Sequence, residues 1–499
     1  MRYVGFSEYY HDAAISIINE DGTVEFASQA ERFSKKKNDS IIPESLWDYV
    51  NDNDHVSYYE DFALREKYRD PYKGKKGEKL HGDSVRAHVE IPIGESLVYD
   101  TFHEHHISHC ATAFYTRPWE DKEDTVMVSI DGAGEYQTAV IYDHNFNLIK
   151  EWHYPKSIGL VYTTATRTLG LRPLEDEYVV MGLSSYGTAP SEMVQWLIDW
   201  WEETPDVAAA VAENTLLDGL GTVEFKGFLK MKSRLIEFRE QYEDADFAAG
   251  IQKFAEYGIM QIMNIARQHG NKLVYSGGCA QNVVINSMIH ELFDGQVHIA
   301  VAPTDAGSSL GTAAMTWAKE TGKDQLCWSP YSGYNIDREV NVQEVVDHLL
   351  EHKVCGLANG KAEFGPRALG NRSLIADVRY DVKDTVNTIK RRQKYRPFAP
   401  AILEEHAEEY FSGPMNEYMQ YTSIAKHPYT SVTHVDGTAR VQIVKKDCPS
   451  IFRKVIEEYY ARTGVPMLLN TSLNIRGRPM VNDEHDAELW EQKYGVKVF

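Results

Sequence analysis

Residues 125–143 read TVMVSIDGAGEYQTAVIYD, two apolar segments separated by an acidic, glycine-rich loop. Their β-branched and aromatic residues predict two strands, and Gly132 and Gly134 predict a tight turn between them. The same pattern occurs within residues 13–28, where AAISII and TVEFAS flank an Asp-Gly turn signal. The repetition predicts a duplicated β-hairpin architecture, in which the turns present backbone N–H groups to a phosphate.

The composition predicts a soluble α/β protein with two or three domains. The chain has 499 residues, 43% of them hydrophobic, which is enough for more than one core. It contains no apolar run of membrane-spanning length and no recognisable leader, so we expect no membrane association. The five cysteines form no CxxC pair, which is typical of free thiols and favours a cytoplasmic location. The net charge of −22 argues against nonspecific binding to polyanions.

Changes in composition along the chain predict the domain organisation. Apolar spacing predicts helices in residues 190–270, and KLVYSGGCAQN (272–282) predicts a buried strand, a glycine turn and a helix. Beyond Cys327 the sequence becomes rich in Pro, Gly and Tyr. We therefore predict one domain over residues 1–328, a linker over 329–345 and a second domain over 346–499.

Four histidines within seven residues, in HEHHISH, predict a metal site. On a helix, His105 and His109 lie one turn apart on the same face, which suits two imidazole ligands. Asp131 and Asp305 each sit in a loop that follows a predicted strand and could complete the site with oxygen ligands. Two nitrogens with two carboxylates suit Fe(II), Mn(II) or Zn(II), and the sequence does not choose among them. A purely structural role for the histidines is the alternative.

Two basic segments on this acidic chain predict an anion site. They are FGPRALGNRS (364–373) and KRRQKYRPFAP (390–400), and residues 362–400 contain nine Lys/Arg against four Asp/Glu. Glycine and proline turns hold these arginines, and guanidinium groups suit phosphate oxygens. The segment LLNTSLN (468–474) ends a predicted strand with further donors on Asn470, Thr471, Ser472 and Asn474. A basic surface patch and an ordinary polar turn are the alternatives.

Two further motifs have weaker functional signals. The glycines of SGGCAQN (276–282) would let the backbone approach a nucleotide closely. His11 and Asp12 fall between two predicted strands, where the histidine could act as a base; a turn histidine paired with its neighbouring aspartate is the alternative. No GxxxxGK[ST] or GxSxG motif occurs, so neither a P-loop nor a serine-hydrolase elbow is expected.

Taken in order, these motifs resemble those of the O-carbamoyltransferase family (NodU/CmcH type) of antibiotic and nodulation-factor tailoring. The resemblance covers nearly the whole chain, in YHDAA, ERFSKKK, HHISHCATAF, DGAGE, EYVVMGL, SGGCAQN, PTDAGSSLG, FGPRALGNRS, YRPFAP, DGTARVQ and LLNTSLNIRG. It implies a duplicated actin-like (ASKHA) N-terminal domain, similar to that of tRNA threonylcarbamoyl transferases, and a YrdC-like α/β C-terminal domain.

The resemblance also implies a chemistry and its residues. The second domain would convert carbamoyl phosphate and ATP, with Mg, to carbamoyl-adenylate, and the first would hold the adenylate beside a metal such as Fe(II) and transfer the carbamoyl group to an acceptor hydroxyl. The metal ligands would be His105, His109, Asp131 and Asp305, and the adenosine contacts Glu177, Gly277, Gly278 and Asn282. The second-domain site would comprise Arg367, Arg372, Lys390, Arg392, Arg396, Arg440, Asn470, Ser472 and Asn474. His11 would be the acceptor-side base, and Lys37 would lie near the carbamoyl group.

The chain departs from the family pattern at three positions. Val179 replaces the usual lysine of its motif, Gln393 replaces a glutamate, and Asn38 stands where histidine is common. These changes put the nucleotide contacts near Val179 in doubt.

The acceptor is left open between two classes, a sugar-like small molecule and a hydroxymethyl pyrimidine in DNA. Residues 31–79 have no net charge, although the chain as a whole is acidic. Their lysine-rich runs KKK (35–37) and YKGKKGEK (72–79) lie near tyrosines, a pattern found in proteins that bind single-stranded nucleic acid. The tyrosines are Tyr58, Tyr59, Tyr68 and Tyr72. Alternative functions are a tRNA threonylcarbamoyl-type transferase and an actin-like metal-dependent ATPase or kinase. A homodimer is the default expectation for the oligomeric state.

Overall fold

The computed structural model describes residues 1–61, 101–204 and 220–499, without the side chains of residues 220–226. Within these residues, the chain divides into two compact units. Unit 1 comprises Met1–Ser7, Ile18–Gly22 and Val50–Leu326, and unit 2 comprises Glu8–Ile17, Thr23–Tyr49 and Cys327–Phe499. Two N-terminal segments thus group with the C-terminal part of the chain. The functional domain boundaries predicted above stay a prediction.

Up to Leu326, strands and helices alternate before a long helical region. The strands are β1 (Arg2–Ser7), β2 (Ala14–Asn19), β3 (Val24–Gln29), β4 (His55–Tyr58), β5 (Thr101–Phe102), β6 (Thr125–Ile130), β7 (Gln137–Asp143), β8 (Leu148–His153), β9 (Lys272–Ser276) and β10 (Val297–Ile299). The helices are α1 (Ala30–Ser34), α2 (Glu44–Trp47), α3 (His105–Tyr115), α4 (Ile158–Thr168), α5 (Glu177–Ser184), α6 (Ser191–Glu203), α7 (Leu220–Gln241), α8 (Asp244–Ala266), α9 (Val283–Leu292) and α10 (Asp305–Thr321). A 3₁₀ turn covers Gly278–Gln281.

From Cys327 onward the elements are shorter. The strands are β11 (Tyr331–Ile336), β12 (Val354–Ala358), β13 (Gly360–Glu363), β14 (Arg372–Ala376), β15 (Ala399–Leu403), β16 (Phe411–Ser412), β17 (Ser423–Ala425), β18 (Thr438–Ala439), β19 (Gln442–Val444) and β20 (Met467–Ser472). The helices are α11 (Val342–His352), α12 (Lys383–Ile389), α13 (Ala407–Tyr410), α14 (Phe452–Thr463) and α15 (Glu484–Tyr494), with a 3₁₀ turn at Glu404–His406. The predicted linker, residues 329–345, contains β11 and the start of α11.

Unit 1 contains the hairpin that the opening stretch predicts. Strands β6, β7 and β8 form an antiparallel meander, and β9 and β10 extend the sheet in parallel from β6. The order is therefore β10-β9-β6-β7-β8. Strands β1, β4 and β5 pair in parallel in the same arrangement as β6, β9 and β10. The chain is thus a mixed α/β protein, and this repetition is the one that a duplicated actin-like fold requires.

Helix α10 packs closely between α3 and β1. At Gly311 a Cβ atom would lie 1.8 Å from the carbonyl oxygen of Ser108 on α3, so no larger residue fits there. This approach explains the glycines of the DAGSSLG motif. It also brings Asp305, the first residue of α10, to the histidines of α3.

The central sheet of unit 2 has the order β12-β14-β20-β15-β19, and all its pairs are antiparallel except β15 with β19. Asn470 on β20 lies opposite Ile375 on β14 and opposite Ala399 on β15. Three motifs that are distant in sequence, those at residues 364–373, 390–400 and 468–474, therefore meet around one strand. The YrdC-like assignment stays a prediction.

Two general expectations can be compared with the described residues. All five cysteines are free thiols, as their spacing predicts. No described helix combines the length and apolarity that crossing a membrane requires.

Candidate functional site

The first cluster lies in unit 1, where α3, the loop after β6 and the start of α10 converge. His105, His109, Asp131 and Asp305 each offer one ligand atom, and the four atoms lie within 4.8 Å of one another. The two histidine Nε2 atoms are 3.1 Å apart. His109 Nε2 is 3.2 Å from Asp131 Oδ2 and 3.3 Å from Asp305 Oδ1. The structure brings all four predicted ligands together.

The chemistry of this cluster fits a divalent metal ion. Two imidazole nitrogens and two carboxylate oxygens form a mixed donor set of the kind that Fe(II), Mn(II) and Zn(II) accept. Without a cation, two facing Nε2 atoms and two carboxylates must share protons. Burial lowers the pKa of His109, but hydrogen bonds with Asp131 and Asp305 outweigh it and raise that pKa to about 9. The carboxylates therefore favour positive charge at the centre of the cluster.

Two glycine loops orient the Asp131 carboxylate. The N–H of Gly132 donates to Oδ1 at 2.5 Å, and the N–H of Gly278 donates to Oδ2 at 2.9 Å. Burial opposes ionisation of Asp131, but its contacts with His109 and the N–H of Gly278 hold its pKa below the usual value. The DGAGE turn, predicted to face a phosphate, and the SGGC turn, predicted to approach a nucleotide, thus also position this aspartate. Gly134 lies in the same turn, and its N–H donates to the Gln137 carbonyl at 2.8 Å.

Gly277 adopts a backbone conformation that only glycine tolerates well. Its φ is +92°, and a Cβ atom would lie 2.3 Å from the Ile130 carbonyl oxygen. We expect Gly277→Ala to lower the free energy of unfolding by about 2–4 kcal/mol, because both the strain and the clash must be relieved. Gly182→Ala, in α5 with open space around it, is the matched control and should be neutral or slightly stabilising. Denaturant unfolding measures both; equal stability of the two variants would contradict the prediction.

The residues predicted to contact adenosine lie around the same turn. Glu177 begins α5 and accepts the N–H of Leu174 at 2.7 Å. Burial raises the pKa of the Cys279 thiol, and the charges of Asp131 and Glu177 raise it further. Asn282 caps α9 by accepting the N–H of Ile285 at 3.3 Å. Val179, at the position of the family lysine, is buried.

Two residues that were not predicted from the sequence hold Asn282. Its amide exchanges hydrogen bonds with Gln252, Nδ2 to Oε1 at 3.0 Å and Gln252 Nε2 to Oδ1 at 3.3 Å. The Tyr162 hydroxyl donates to the same Gln252 oxygen at 3.0 Å. Both partners lie in apolar helical stretches, where a single polar residue gives no sequence signal.

The second cluster lies in unit 2 and is strongly cationic. Burial, Arg392 and Arg396 together lower the pKa of Lys390 well below its usual value. Burial lowers the pKa of Arg440 in the same way, as do Arg367, Arg392 and Arg396. Five predicted anion ligands are therefore close enough to repel one another. Repulsion of this kind is typical of a site that an anion neutralises.

Lys390 anchors the turn that follows β20. Its Nζ contacts the carbonyl and the hydroxyl of Ser472, and the carbonyl and side-chain oxygens of Asn474 at 3.1 and 2.9 Å. Asn470 Nδ2 donates to the Ala368 carbonyl at 3.0 Å, which ties the FGPRALG loop to β20. The side chain of neighbouring Thr471 is half-buried.

One predicted anion ligand has a different role. Arg372 is fully buried and donates to the backbone carbonyls of Tyr334, Asn359, Gly360, Asn371 and Asn482. Burial lowers its pKa to about 10. Because its N–H groups already donate to backbone carbonyls, we remove Arg372 from the predicted anion ligands and assign it a role in stabilising the fold. The sequence motif does not distinguish an arginine that binds an anion from one that binds carbonyls.

This reassignment predicts a large loss of stability in Arg372→Met. The substitution would leave several buried carbonyls without a donor, so we expect the free energy of unfolding to fall by at least about 3 kcal/mol. Thermal or urea unfolding measures it. An Arg372→Met protein as stable as the parent would show that these carbonyls have other donors.

Two further residues that the sequence analysis missed brace the FGPRALG loop. Glu363 Oε1 accepts the N–H groups of Leu369 and Asn371 at 2.7 and 2.8 Å. Buried Arg32, from the ERF motif, donates to the Gly365 carbonyl at 3.3 Å. Arg32 lies inside the quoted ERFSKKK motif and Glu363 directly precedes FGPRALGNRS, and these positions were the available signal.

The catalytic residues predicted near the N-terminus all belong to unit 2. His11 Nδ1 lies 3.5 Å from Asp12 Oδ2, as in the alternative reading of a turn histidine beside an aspartate. Lys37 Nζ binds both oxygens of Glu31 at 2.9 and 2.8 Å. Asn38, at the position of the family histidine, donates its backbone N–H to the same carboxylate at 2.9 Å. Their catalytic roles stay predictions.

The described residues that were predicted to bind nucleic acid are either paired with carboxylates or buried. Lys35 pairs with Asp486, Lys36 with Asp39 at 2.9 Å, and Lys37 with Glu31. Tyr58 and Tyr59 are buried and cannot stack on a base, which corrects that expectation. Tyr68, Tyr72 and the segment 72–79 lie outside the described residues.

Known proteins match this chain in both units. A model of the carbamoyltransferase N-terminus matches residues 94–314, and a model of the carbamoyltransferase C-terminus matches residues 346–498. Nodulation protein NolO of Bradyrhizobium diazoefficiens is 31% identical over 77% of this chain and 75% of its own length.

The chain belongs to the carbamoyltransferase family. It is therefore a transferase enzyme. Nodulation protein NolNO of Sinorhizobium fredii is 28% identical over 96% of this carbamoyltransferase and 76% of its own length. An uncharacterised protein of Methanocaldococcus jannaschii is 29% identical over 96% and 94% of the two chains. Among solved structures, the activator of the 2-hydroxyisocaproyl-CoA dehydratase from Clostridium difficile covers 66% of the chain at 12% identity with a TM-score of 0.37, too distant to carry an argument.

Proposed function

We propose that this carbamoyltransferase is an ATP-dependent O-carbamoyltransferase that makes carbamoyl-adenylate and transfers the carbamoyl group to a hydroxyl. The observation that carries the proposal is the pair of separate clusters, one of buried nitrogen and carboxylate ligands and one of mutually repelling cations. Carbamoyl phosphate and ATP are both polyanions, and the second cluster suits their phosphates. The first suits a metal ion.

In the activation step, carbamoyl phosphate, water and ATP give carbamoyl-adenylate, phosphate and pyrophosphate. Arg367, Arg392, Arg396 and Arg440 would neutralise the phosphates, while Lys390 holds the turn that carries Ser472 and Asn474. Burial, Arg392 and Arg396 lower the pKa of Lys390, and a bound phosphate would shift that pKa upward.

In the transfer step, the acceptor hydroxyl oxygen attacks the carbamoyl carbon, and the bond to AMP breaks as AMP leaves with the electron pair. His105, His109, Asp131 and Asp305 would hold a divalent metal ion, Fe(II) being the family expectation. Such an ion supplies a Lewis acid that polarises the carbamoyl carbonyl. His11 remains the predicted base that takes the hydroxyl proton. The Gly277-Gly278 turn would admit the adenylate close to backbone.

We propose a small hydroxylated molecule as the acceptor. The Nod-protein relatives motivate this choice, and the described lysines of the KKK run already have carboxylate partners within their own unit. The buried tyrosines cannot stack on bases, and the paired lysines offer no free charge to the phosphates of DNA. Hydroxymethylated DNA is thus the less favoured acceptor.

Mass spectrometry of reactions containing enzyme, ATP, carbamoyl phosphate and Fe(II) tests the proposal. We expect carbamoyl-adenylate and pyrophosphate, with neither formed when carbamoyl phosphate is omitted. ATP consumption that is independent of carbamoyl phosphate would instead support an ATPase or kinase. Adding aminosugars, hydroxymethyl-pyrimidine oligonucleotides or tRNA then identifies the acceptor from the gain of one carbamoyl group. Turnover of an oligonucleotide would fall steeply with salt, whereas that of a neutral sugar would not.

A further inference from the structure

We propose that Glu60 is a positioning residue for the metal site, with Glu135 as its brace; this inference rests on the proposed metal-binding role of the cluster. Neither residue was among the predicted site residues. Glu60 follows β4, and its side chain is completely buried. A buried carboxylate needs a specific partner, because burial of an isolated charge is costly.

The partner that Glu60 faces is the ligand His105. Glu60 Oε1 lies 3.2 Å from His105 Nδ1, an ion-pair distance at which the two atoms face each other without an aligned hydrogen bond. The opposite ring nitrogen, Nε2, faces His109 and Asp305. For Nε2 to present a lone pair to a metal ion, the proton of a neutral imidazole must be on Nδ1. Glu60 is placed to hold that proton.

Glu135 fixes the position of Glu60 relative to α3. A single oxygen, Glu135 Oε1, accepts the N–H of His105 at 2.9 Å and the N–H of Asp61 at 2.8 Å. The segment that carries Glu60 and the first turn of α3 are therefore held by one carboxylate. The ring of Tyr59 packs against His105 at 5.6 Å between centroids and limits ring rotation from the same side.

The contact with Glu60 distinguishes His105 from the other ligand histidine. Among the described residues, neither His105 Nδ1 nor His109 Nδ1 has a hydrogen-bond partner, but His105 Nδ1 lies 3.2 Å from a carboxylate oxygen of Glu60. The orientation of His109 is set only from its Nε2 side, by the cluster itself. Of the two ligand histidines, His105 is thus the one that faces a carboxylate outside the cluster, which corresponds to the carboxylate–histidine–metal arrangement of many metalloproteins.

Titration of the metal-free full-length protein with Co(II) tests the inference without using activity. We expect Glu60→Gln to raise the dissociation constant for Co(II) by about 10- to 100-fold and to change the visible absorption of the bound ion. Glu60→Asp, which keeps the charge but shortens the side chain, should give a smaller loss. Glu203→Gln, which removes an exposed carboxylate at the end of α6, is the matched control and should leave both readouts unchanged.

The outcomes separate the inference from the proposed function. If the parent protein binds no Co(II) and the His105→Ala protein behaves identically, the metal site itself is wrong. If the parent binds Co(II) and Glu60→Gln binds it within twofold with the same spectrum, the role of Glu60 is wrong. Circular dichroism checks that each variant folds. If the Glu60→Gln protein does not fold, the Glu60→Asp protein provides the test. An unchanged Co(II) affinity and spectrum in Glu60→Asp would then overturn the inference.

Discussion

Replacing His105 by alanine is expected to lower carbamoyl transfer by at least about 1000-fold while carbamoyl phosphate-dependent pyrophosphate release continues. The reason is the division of the two clusters. His105 lies in unit 1, where its Nε2 completes the four-ligand group, and loss of a Lewis acid forfeits several kcal/mol of transition-state stabilisation. The cationic cluster of unit 2 is unchanged by the substitution.

The measurement pairs two assays on one protein preparation. Pyrophosphate release reports activation, and mass spectrometry of the acceptor reports transfer. His55→Ala removes a histidine outside the cluster, which is paired with Glu320 on the surface, and should leave both assays near the parent value. Simultaneous loss of both activities in a folded His105→Ala protein would argue against the divided mechanism.

Replacing Arg440 by methionine should produce the opposite pattern, with activation lost and metal binding retained. A charge-assisted hydrogen bond to a phosphate contributes about 2–3 kcal/mol, so we expect adenylate formation to fall by about 30- to 150-fold. The same substitution removes one member of a mutually repelling group that includes Arg367, Arg392 and Arg396. We therefore expect the anion-free protein to become more stable, by about 1 kcal/mol at low salt.

A substitution that increases stability but lowers activity indicates that the arginine binds the anionic ligand. Substitution of an arginine with a structural role would lower stability instead. Arg372→Met, which removes donors from buried carbonyls, should be destabilising. Arg391→Met is the matched control, since Arg391 belongs to the same basic run but is exposed. It should change neither stability nor adenylate formation appreciably. If Arg440→Met were destabilising and active, Arg440 would be structural and the assignment of the anion site would fail.

The sequence alone determined the features that depend on local order. The hairpin at residues 125–143 follows from side-chain periodicity and turn chemistry, which act between neighbours in the chain. The four residues of the candidate metal cluster could be singled out because their chemistry is rare and specific, and the helix that begins at His105 gives the two histidines the one-turn spacing that the prediction assumes. Family resemblance then connected the glycine, arginine and asparagine motifs to one activity.

Only the tertiary structure decided what each polar residue faces. Arg372 and Arg440 both occur in motifs of basic and polar residues, but one is surrounded by carbonyls and the other by cations, because strand register and loop packing set their neighbours. Glu60 and His105 are 45 positions apart and share no periodicity, so their contact depends on the pairing of β4 with β1 and on the packing of α10 against α3. Local sequence determines what a residue can do, whereas long-range packing determines what it faces.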